Sequence, residues 1–469
     1  MINHKQNFEW KQYFPHAEPR DEQVKAIDFA LDAFYNSDKK YVIIEAGTGV
    51  GKSAVGLTIA RYITSKTVSG DDYASGAYFL TTQKILQDQY VKDFSSSLGG
   101  MNSIKSSSNY PCKFIKANSC AESLRSLRGA DKKSSFFKAC TFNCTYRKAK
   151  DEFLKSKAGV TNFPYFLAET NYSGKITPRE VLVIDEAHNT TEELSKFVEV
   201  TLSERFSKQV LKIEMPVINT QLQALNWVKE VYSTKLFSHV KHIEKMLEKY
   251  ADLRDKIQEF AGLAKQFDML DKHACKLQRF LELYEKDNWV VNIIPADGRS
   301  GRKIEFKPID VAPYAKPMLF RMGKKILCMS ATILNVDAHC KMLGIPRDEC
   351  EFISIPSPFP IENRPIIACG IGSMSAKQID NTLPQLVKAI KEILKAHPKE
   401  KGIIHCHTFK IANYIKKNIR SKRLLVHNST NREETLHRHL KASTPTVLLS
   451  PSMTEGVDLV EDASRFQII

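Results

Sequence analysis

Long hydrophobic runs, the apolar core of a secretory leader and cysteine pairs with the spacing C-x₂-C are all missing from this 469-residue sequence. No stretch approaches the ~18 consecutive apolar residues of a membrane span. Residues 1–6 lack the apolar core of a signal peptide. Ten cysteines in a chain of this length do not indicate a disulfide scaffold. We therefore expect no membrane association and an intracellular, reducing location, in the cytoplasm or nucleoid, or in the nucleus of a eukaryote.

Acidic residues are also in deficit, with 53 Asp and Glu against 69 Lys and Arg. The net charge is +16 and the pI is near 9.2. Such an excess favours a polyanionic partner, and nucleic acid is the commonest. A merely soluble basic surface is the alternative interpretation. The hydrophobic content of 42% is ordinary for a folded protein, and the length allows roughly three domains.

The central motif is a Gly-rich loop between a predicted strand, residues 41–44, and a predicted helix, residues 54–60. Glycines let backbone N–H groups close around phosphate oxygens, and the start of the helix adds its unpaired N–H groups. We predict that Lys52 reaches the β- and γ-phosphates and that the Ser53 hydroxyl holds Mg²⁺. The predicted nucleotide-binding residues of the loop are Ala46, Gly47, Thr48, Gly49, Val50, Gly51, Lys52 and Ser53.

Two positions near this loop allow more than one interpretation. Ala46 stands where the phosphate-loop pattern has its first glycine, so an ordinary Gly-rich turn is the alternative. Gln23 opens a segment of helical period shortly before the loop. Its planar amide offers a donor and an acceptor, which makes it a candidate reader of an adenine edge. The alternative is a plain surface glutamine.

A second motif, Asp185-Glu186-Ala187-His188, follows an apolar strand about 130 residues after the loop. A carboxylate at the end of a strand beside a phosphate loop is where Mg²⁺ is held, so Asp185 is a predicted magnesium ligand. We expect Glu186 to polarise the attacking water and His188 to couple the site to other groups. The predicted catalytic residues are Lys52, Asp185, Glu186 and His188.

Four cysteines lie in a segment rich in Ser, Gly, Asn and Lys, with seven, nineteen and three residues between them. Thiolates grouped in this way indicate a four-thiolate site, for zinc or for an iron–sulfur cluster. The spacing does not choose between the two, because it matches neither the pairs of a zinc ribbon nor a ferredoxin run. Four unrelated thiols are the alternative. The predicted metal ligands are Cys112, Cys120, Cys140 and Cys144.

The sequence pattern after residue 188 predicts an insertion and then a second α/β unit. Residues 189–290 have charged helical patterns and predict an all-helical insertion, and residues 292–307 predict a β return. A strand then ends in residues 330–332, Ser-Ala-Thr, whose hydroxyls are candidates for a relay or for a helix cap. The proline-rich residues 356–360 predict a domain boundary, and the alternating strands and helices after them predict a parallel sheet.

In this order, the segments resemble the superfamily 2 DNA helicases, and most closely the XPD/DinG family with its iron–sulfur cluster. Residues 46–53 look like motif I, where Ala is usual at the first position, and residues 185–188 look like motif II. Residues 330–332 are similar to motif III and residues 452–459 to motif V. Residues 109–112 resemble the segment that holds the first cluster cysteine of the family. The cysteine insert and the helical arch of that family have counterparts in this sequence, in the same order.

The resemblance implies an α/β fold with two RecA-like parallel-sheet domains, a cysteine-rich iron–sulfur insert and a helical arch insert. It also implies ATP, Mg²⁺ and a [4Fe–4S] cluster, with single-stranded DNA and single-strand/duplex junctions as partners. The implied activity is 5′-to-3′ unwinding in repair or replication. The implied segments are helicase domain 1 (1–104, 151–190 and 301–350), the cluster insert (105–150), the arch (191–300) and helicase domain 2 (351–469).

One motif of that family has no counterpart in this sequence. Motif VI carries arginines that reach the γ-phosphate from the second domain, and no such segment follows Asp458. On this ground we expect an incomplete second domain and a truncated chain. An alternative function is then an ATP-binding repair factor that binds nucleic acid without productive unwinding. A redox-sensing module that uses the cluster is a third possibility.

Overall fold

The computed structural model describes residues 8–66, 72–97, 99–112, 119–121, 123, 131–174, 176–251, 257–296, 301–428, 431–451, 459 and 461–469. It divides into two compact units, Met1–Phe359 and Pro360–Ile469. The division falls inside the proline-rich segment for which a domain boundary is predicted. Each unit is built around its own parallel sheet.

Strands and helices alternate along much of the described chain. The strands are β1 (Tyr41–Ala46), β2 (Ala74–Thr81), β3 (Asn102–Ser103), β4 (Ala158–Asn162), β5 (Arg179–Asp185), β6 (Val200–Ser203), β7 (Trp289–Ile294), β8 (Lys303–Pro308), β9 (Gly323–Ser330), β10 (Cys350–Ile355), β11 (Gly402–His405), β12 (Leu424–Val426), β13 (Val447–Ser450) and β14 (Phe466–Ile468). The longer helices are α1 (Asp21–Tyr35), α2 (Lys52–Ser65), α3 (Lys84–Phe94), α4 (Ser135–Phe142), α5 (Thr145–Lys155), α6 (Phe163–Ala168), α7 (Thr190–Val198), α8 (Gln221–Trp227), α9 (Ser233–Ala251), α10 (Ile257–Leu283), α11 (Ala312–Met318), α12 (Val336–Leu343), α13 (Ile379–Ala396), α14 (Phe409–Asn418) and α15 (Arg432–Lys441).

The first unit contains a seven-stranded parallel sheet with the order β10-β1-β9-β5-β2-β4-β3. Its central strands are buried along most of their length, as expected when helices cover both faces of a parallel sheet. Glu45 pairs with Ser330 across β1 and β9, and Asp185 pairs with Met329 across β5 and β9. The register therefore brings the carboxyl ends of the three strands to one edge of the sheet.

Alternate residues of β1 enter two cores on opposite faces of this sheet. Val42 and Ile44 join the core that contains the apolar residues of α1 and α2. Tyr41 and Ile43 join the core on the other face, to which α6, α7 and the insertion contribute. This period of two follows from the pleat of a strand, whose successive side chains point to opposite faces. The predicted α/β fold with a parallel sheet is confirmed.

The insertion after β5 is mainly helical, but it is not all-helical as predicted. Strand β6 pairs with β8, which pairs in turn with β7, to form a three-stranded antiparallel sheet. Trp289 and Phe306 of this sheet pack on Phe280 of α10, with ring centroids 4.9 and 4.6 Å from it. The four residues of β6 alternate between buried and more exposed positions, a pattern too short to stand out beside long helical periods. The predicted β return corresponds to β7 and β8.

The second unit contains a four-stranded parallel sheet with the order β12-β13-β11-β14. The amphipathic faces of α13 and α14 supply much of its core, including Leu383, Ile390 and Ile411. The predicted second parallel sheet is therefore confirmed. No helix in the described parts of either unit has the length and apolar character needed to cross a bilayer.

Candidate nucleotide and magnesium site

The Gly-rich loop connects the buried strand β1 to α2, as its sequence predicts. Gly49 and Gly51 have φ angles of 91° and 82°, in the left-handed region that favours glycine. A Cβ atom on Gly51 would lie 2.6 Å from Gln23 Nε2, and one on Gly49 would lie 2.4 Å from the ring of Phe359. The left-handed φ angles therefore disfavour a side chain at both positions, and a Cβ atom would also displace the end of Gln23 or the ring of Phe359.

Helix α1 holds the loop from the side. The Arg20 guanidinium donates a hydrogen bond from Nη2 to the carbonyl oxygen of Val50 at 2.9 Å. Gln23 Oε1 accepts a hydrogen bond from the backbone N–H of Arg20 at 2.9 Å, and Gln23 is only 4% exposed. The alternative of a surface glutamine is therefore wrong. The amide oxygen caps α1 and the amide nitrogen lies beside the loop, while contact of Gln23 with adenine stays a prediction.

Lys52 and Ser53 begin α2, opposite the carboxyl end of β5. Asp185 is the last residue of β5 and is 4% exposed. Burial raises the pKa of Asp185, and the nearby Lys52 charge and the hydrogen bond from Tyr90 oppose that shift. A hydroxyl and a carboxylate oxygen are ligands that Mg²⁺ prefers, so Ser53 and Asp185 form a suitable donor pair. The structure thus brings together two motifs that are far apart in the sequence.

Glu186 and His188, which follow Asp185 in the same motif, continue the site toward β9. Glu186 has a φ of 51°, an uncommon backbone conformation for a residue other than glycine. Its Oε2 atom lies 3.6 Å from His188 Nδ1, and the same nitrogen shares a hydrogen bond of 2.8 Å with Ser330 Oγ. The predicted coupling through His188 therefore has a physical partner in Ser330. The Ser330 oxygen also accepts a hydrogen bond from the Thr332 N–H, at 3.1 Å.

Glu45 is a residue of this region that sequence reasoning overlooked. Its Oε2 accepts hydrogen bonds from the N–H groups of Ile333 and Leu334, both at 2.6 Å, and its Oε1 accepts one from Ser354 Oγ at 2.9 Å. Leu334 has a φ of 64° and is 88% exposed. Glu45 thus ties the strand before the loop to the segment after β9 and to the end of β10. Its position directly before the loop was the only signal in the sequence.

The four predicted cysteine ligands are only partly brought together. The Sγ atoms of Cys120 and Cys144 lie 3.2 Å apart. Burial and the other thiols, with Cys144 the largest contributor followed by Cys112 and Cys140, raise the pKa of Cys120 to about 12. Within the described residues, no group of three or more His, Cys, Asp or Glu side chains has the geometry of a metal site. Cys112 and Cys140 are near enough to Cys120 to affect its pKa, but among the described residues the four thiols do not form a closed ligand set.

Most of the segment that looks like motif V, residues 452–458, lies outside the described residues. Residues 113–118 and 124–130, between the predicted cysteine ligands, are also outside them. The observed site therefore consists of the loop, the carboxyl ends of β5 and β9, and the residues of α1 and α3 that contact them.

Sequence comparison relates the chain to known helicases. The profile of the family described as Type III restriction enzyme, res subunit, matches residues 16–216. A probable ATP-dependent helicase of Methanocaldococcus jannaschii is 22% identical over 82% of this chain and 68% of its own length. The ATP-dependent DNA helicase YoaA of Haemophilus influenzae is 21% identical over 96% of this chain and 81% of its own length.

Structural comparison agrees with the sequence matches. A solved XPD helicase structure aligns with a TM-score of 0.53 over 96% of this chain and 83% of its own, at 16% identity. An apo XPD structure aligns with a TM-score of 0.50 over 93% of this chain and 81% of its own, at 15% identity. The chain is thus similar in sequence to proteins named ATP-dependent helicases. Its fold is similar to that of the solved XPD structures.

Proposed function

We propose that this chain is an ATP-dependent DNA helicase that translocates along single-stranded DNA and unwinds duplexes in the 5′-to-3′ direction, in repair or replication. The observation that carries the proposal is the meeting of the Gly-rich loop, Asp185 and Ser330 at one edge of the sheet. Phosphoryl transfer needs positioning and charge stabilisation more than covalent chemistry, and this edge offers both.

Each residue of the proposed active site has a separate role in hydrolysis. The loop N–H groups hold the phosphates, and the Lys52 ammonium stabilises charge on the β- and γ-phosphates. Ser53 and Asp185 would hold Mg²⁺, which neutralises the phosphate charge when it is bound. Glu186 orients and polarises the attacking water. The hydrogen bond between His188 and Ser330 connects this chemistry to the end of β9.

DNA as the substrate is supported by charge and by the matches. The chain has a net charge of +16, which favours a polyanion. The relative from Haemophilus influenzae is named a DNA helicase, and the fold is similar to that of XPD. We propose single-stranded DNA and single-strand/duplex junctions as partners, and an intracellular location. The matched relatives are named helicases, so the comparisons do not favour a repair factor that binds ATP without unwinding.

We also propose that the cysteine segment holds a [4Fe–4S] cluster, as part of the domain division implied by the family resemblance. The contact between Cys120 and Cys144 and the burial of Cys140, which is 4% exposed, support this proposal. The four thiols would supply the thiolate ligands that iron prefers. Cys140→Ser should bleach the visible absorption of anaerobically purified protein, and Cys369→Ser, an exposed cysteine elsewhere, should leave it unchanged. Colourless protein with stoichiometric zinc would contradict the cluster.

The experiment that tests the proposed catalytic site compares ATP hydrolysis by the wild type and by Lys52→Ala, with and without single-stranded DNA. We expect DNA to stimulate the wild type and the variant to lose turnover, since several kcal/mol of charge stabilisation are removed. Circular dichroism of both proteins shows whether folding is intact. Hydrolysis by a folded Lys52→Ala protein at the rate of the wild type would overturn the assignment of the loop.

A further inference from the structure

Tyr90 connects the two halves of the proposed magnesium site, although it belongs to neither motif. It lies in α3, is 2% exposed, and its ring packs between Phe79 and Phe94, with centroids 5.8 and 5.9 Å away. Its hydroxyl donates a hydrogen bond to Asp185 Oδ2 at 2.9 Å. The other oxygen of Asp185 accepts a hydrogen bond from the Glu186 N–H at 3.1 Å. Both carboxylate oxygens are therefore held in place.

The same hydroxyl also interacts with Ser53. A hydrogen bond also joins the side chains of Tyr90 and Ser53. Because Tyr90 has a single hydroxyl proton and donates it to Asp185, the Ser53 hydroxyl is the donor in this second bond. The hydroxyls then form a relay in which Ser53 donates to Tyr90 and Tyr90 donates to Asp185.

This relay suits the chemistry of a metal ligand. A serine hydroxyl binds Mg²⁺ through an oxygen lone pair, so its proton must point away from the ion to an acceptor. The Tyr90 oxygen accepts a hydrogen bond from the Ser53 hydroxyl, and this leaves a lone pair of the Ser53 oxygen directed to the ion. Partners of this kind orient metal ligands, and their removal typically lowers metal affinity or activity ~10- to 100-fold.

We propose that Tyr90 is a positioning residue that orients Ser53 and Asp185 for Mg²⁺-dependent nucleotide binding. This inference rests on the proposed function, because it requires that Mg²⁺ and a nucleotide bind at this loop. The alternative is that the hydroxyl only finds a partner for a buried tyrosine, with no effect on the ligands. The two interpretations differ in what they predict for the metal dependence of nucleotide binding.

The test uses Tyr90→Phe, which removes the hydroxyl and keeps the ring. The matched control is Tyr78→Phe on the opposite face of the sheet, where a tyrosine that is 1% exposed donates to the Thr177 carbonyl at 3.0 Å. Fluorescent ADP is titrated into the wild type and both variants, with Mg²⁺ and with EDTA. Thermal unfolding without nucleotide reports folding. A second hydroxyl-free variant, Tyr90→Met, replaces Tyr90→Phe if that protein does not fold.

We expect Tyr90→Phe to raise the Mg²⁺ concentration for half-maximal ADP binding about tenfold, while ADP affinity in EDTA stays that of the wild type. Mn²⁺, which binds oxygen ligands more tightly, should restore much of the loss. Tyr78→Phe should lower the Tm by about as much as Tyr90→Phe does, because each substitution removes one buried hydroxyl, but it should not change the Mg²⁺ requirement. If Tyr90→Phe has the Mg²⁺ requirement of Tyr78→Phe, the positioning role is wrong. If the wild type binds no Mg²⁺–ADP, the proposed function itself fails.

Discussion

Replacing Glu45 by glutamine should weaken the hydrogen bonds that join the strand before the loop to the segment that follows β9. The carboxylate accepts two backbone hydrogen bonds at 2.6 Å and one from Ser354 at 2.9 Å. Glutamine keeps a single acceptor oxygen and places an NH₂ group opposite a donor. Hydrogen bonds to a charged group contribute about 1.5–3 kcal/mol each, and part exposure reduces this value. We expect the free energy of unfolding of the first unit to fall by roughly 2 kcal/mol.

The stability difference between the wild type and Glu45→Gln should depend on pH in a definite direction. Burial raises the pKa of Glu45, but the hydrogen bonds from Leu334, Ser354 and Ile333 outweigh it and leave the pKa below its ordinary value. A carboxylate with a lowered pKa in the folded state stabilises the protein above the ordinary pKa, and loses that effect as the pH falls through the folded pKa. The difference between the wild type and Glu45→Gln should therefore be full at neutral pH and disappear on acidification.

Urea unfolding of the wild type and Glu45→Gln between pH 7 and the acid limit of reversibility measures this difference. Glu351→Gln is the matched control, since Glu351 is a carboxylate on the neighbouring strand β10 that forms a 3.7 Å ion pair with Lys39. Exposed pairs of this kind contribute little, so the control should stay within about 0.5 kcal/mol of the wild type. Equal stability of Glu45→Gln and the wild type at neutral pH would refute the reasoning, as would a difference that does not change with pH.

Three further substitutions test the geometry of the site. Gly51→Ala should weaken ATP binding at least tenfold by fluorescence titration, because a Cβ would meet Gln23 Nε2 at 2.6 Å and φ is 82°; wild-type affinity would contradict the described loop. Glu186→Gln should retain ATP binding and lose ~100-fold or more in single-turnover hydrolysis, since the substitution removes the proposed base that polarises water; unchanged turnover would exclude that role. Ser330→Ala should reduce DNA stimulation of hydrolysis more than basal hydrolysis, and equal loss of both would contradict a coupling role for its bond to His188.

Local patterns in the sequence predicted the repetitive elements well. The sequence predicts helices over residues 84–94 and 409–418, and these are the bounds of α3 and α14. Such helices are detectable because an amphipathic helix of three turns carries many consistent positions. The strands before the loop and before Asp185 were equally clear, since central strands of a parallel sheet are apolar throughout. In contrast, β3 and β6 have only two and four residues and carry too little pattern to detect.

Long-range contacts explain why part of the site could not be predicted. The bond between Tyr90 and Asp185 joins residues 95 positions apart, and the bond between Glu45 and Ile333 spans 288 positions. No local period or motif encodes such pairs. The Glu45 bond forms because β9 lies beside β1 in the sheet, and the Tyr90 bond forms because β2, which precedes α3, lies beside β5. The places of Lys52 at the start of α2 and of Asp185 at the end of β5 could be predicted because both residues belong to short motifs, while their catalytic roles stay predictions.

The central claim is that this chain couples ATP hydrolysis to DNA unwinding, and strand displacement measures that coupling directly. Duplexes with a 5′ or a 3′ single-stranded tail are incubated with the wild type or Lys52→Ala, with and without ATP. We predict ATP-dependent displacement from the 5′-tailed duplex by the wild type only. Absence of ATP-dependent displacement by folded wild-type protein that binds ATP, or equal displacement by Lys52→Ala, would contradict the proposed function.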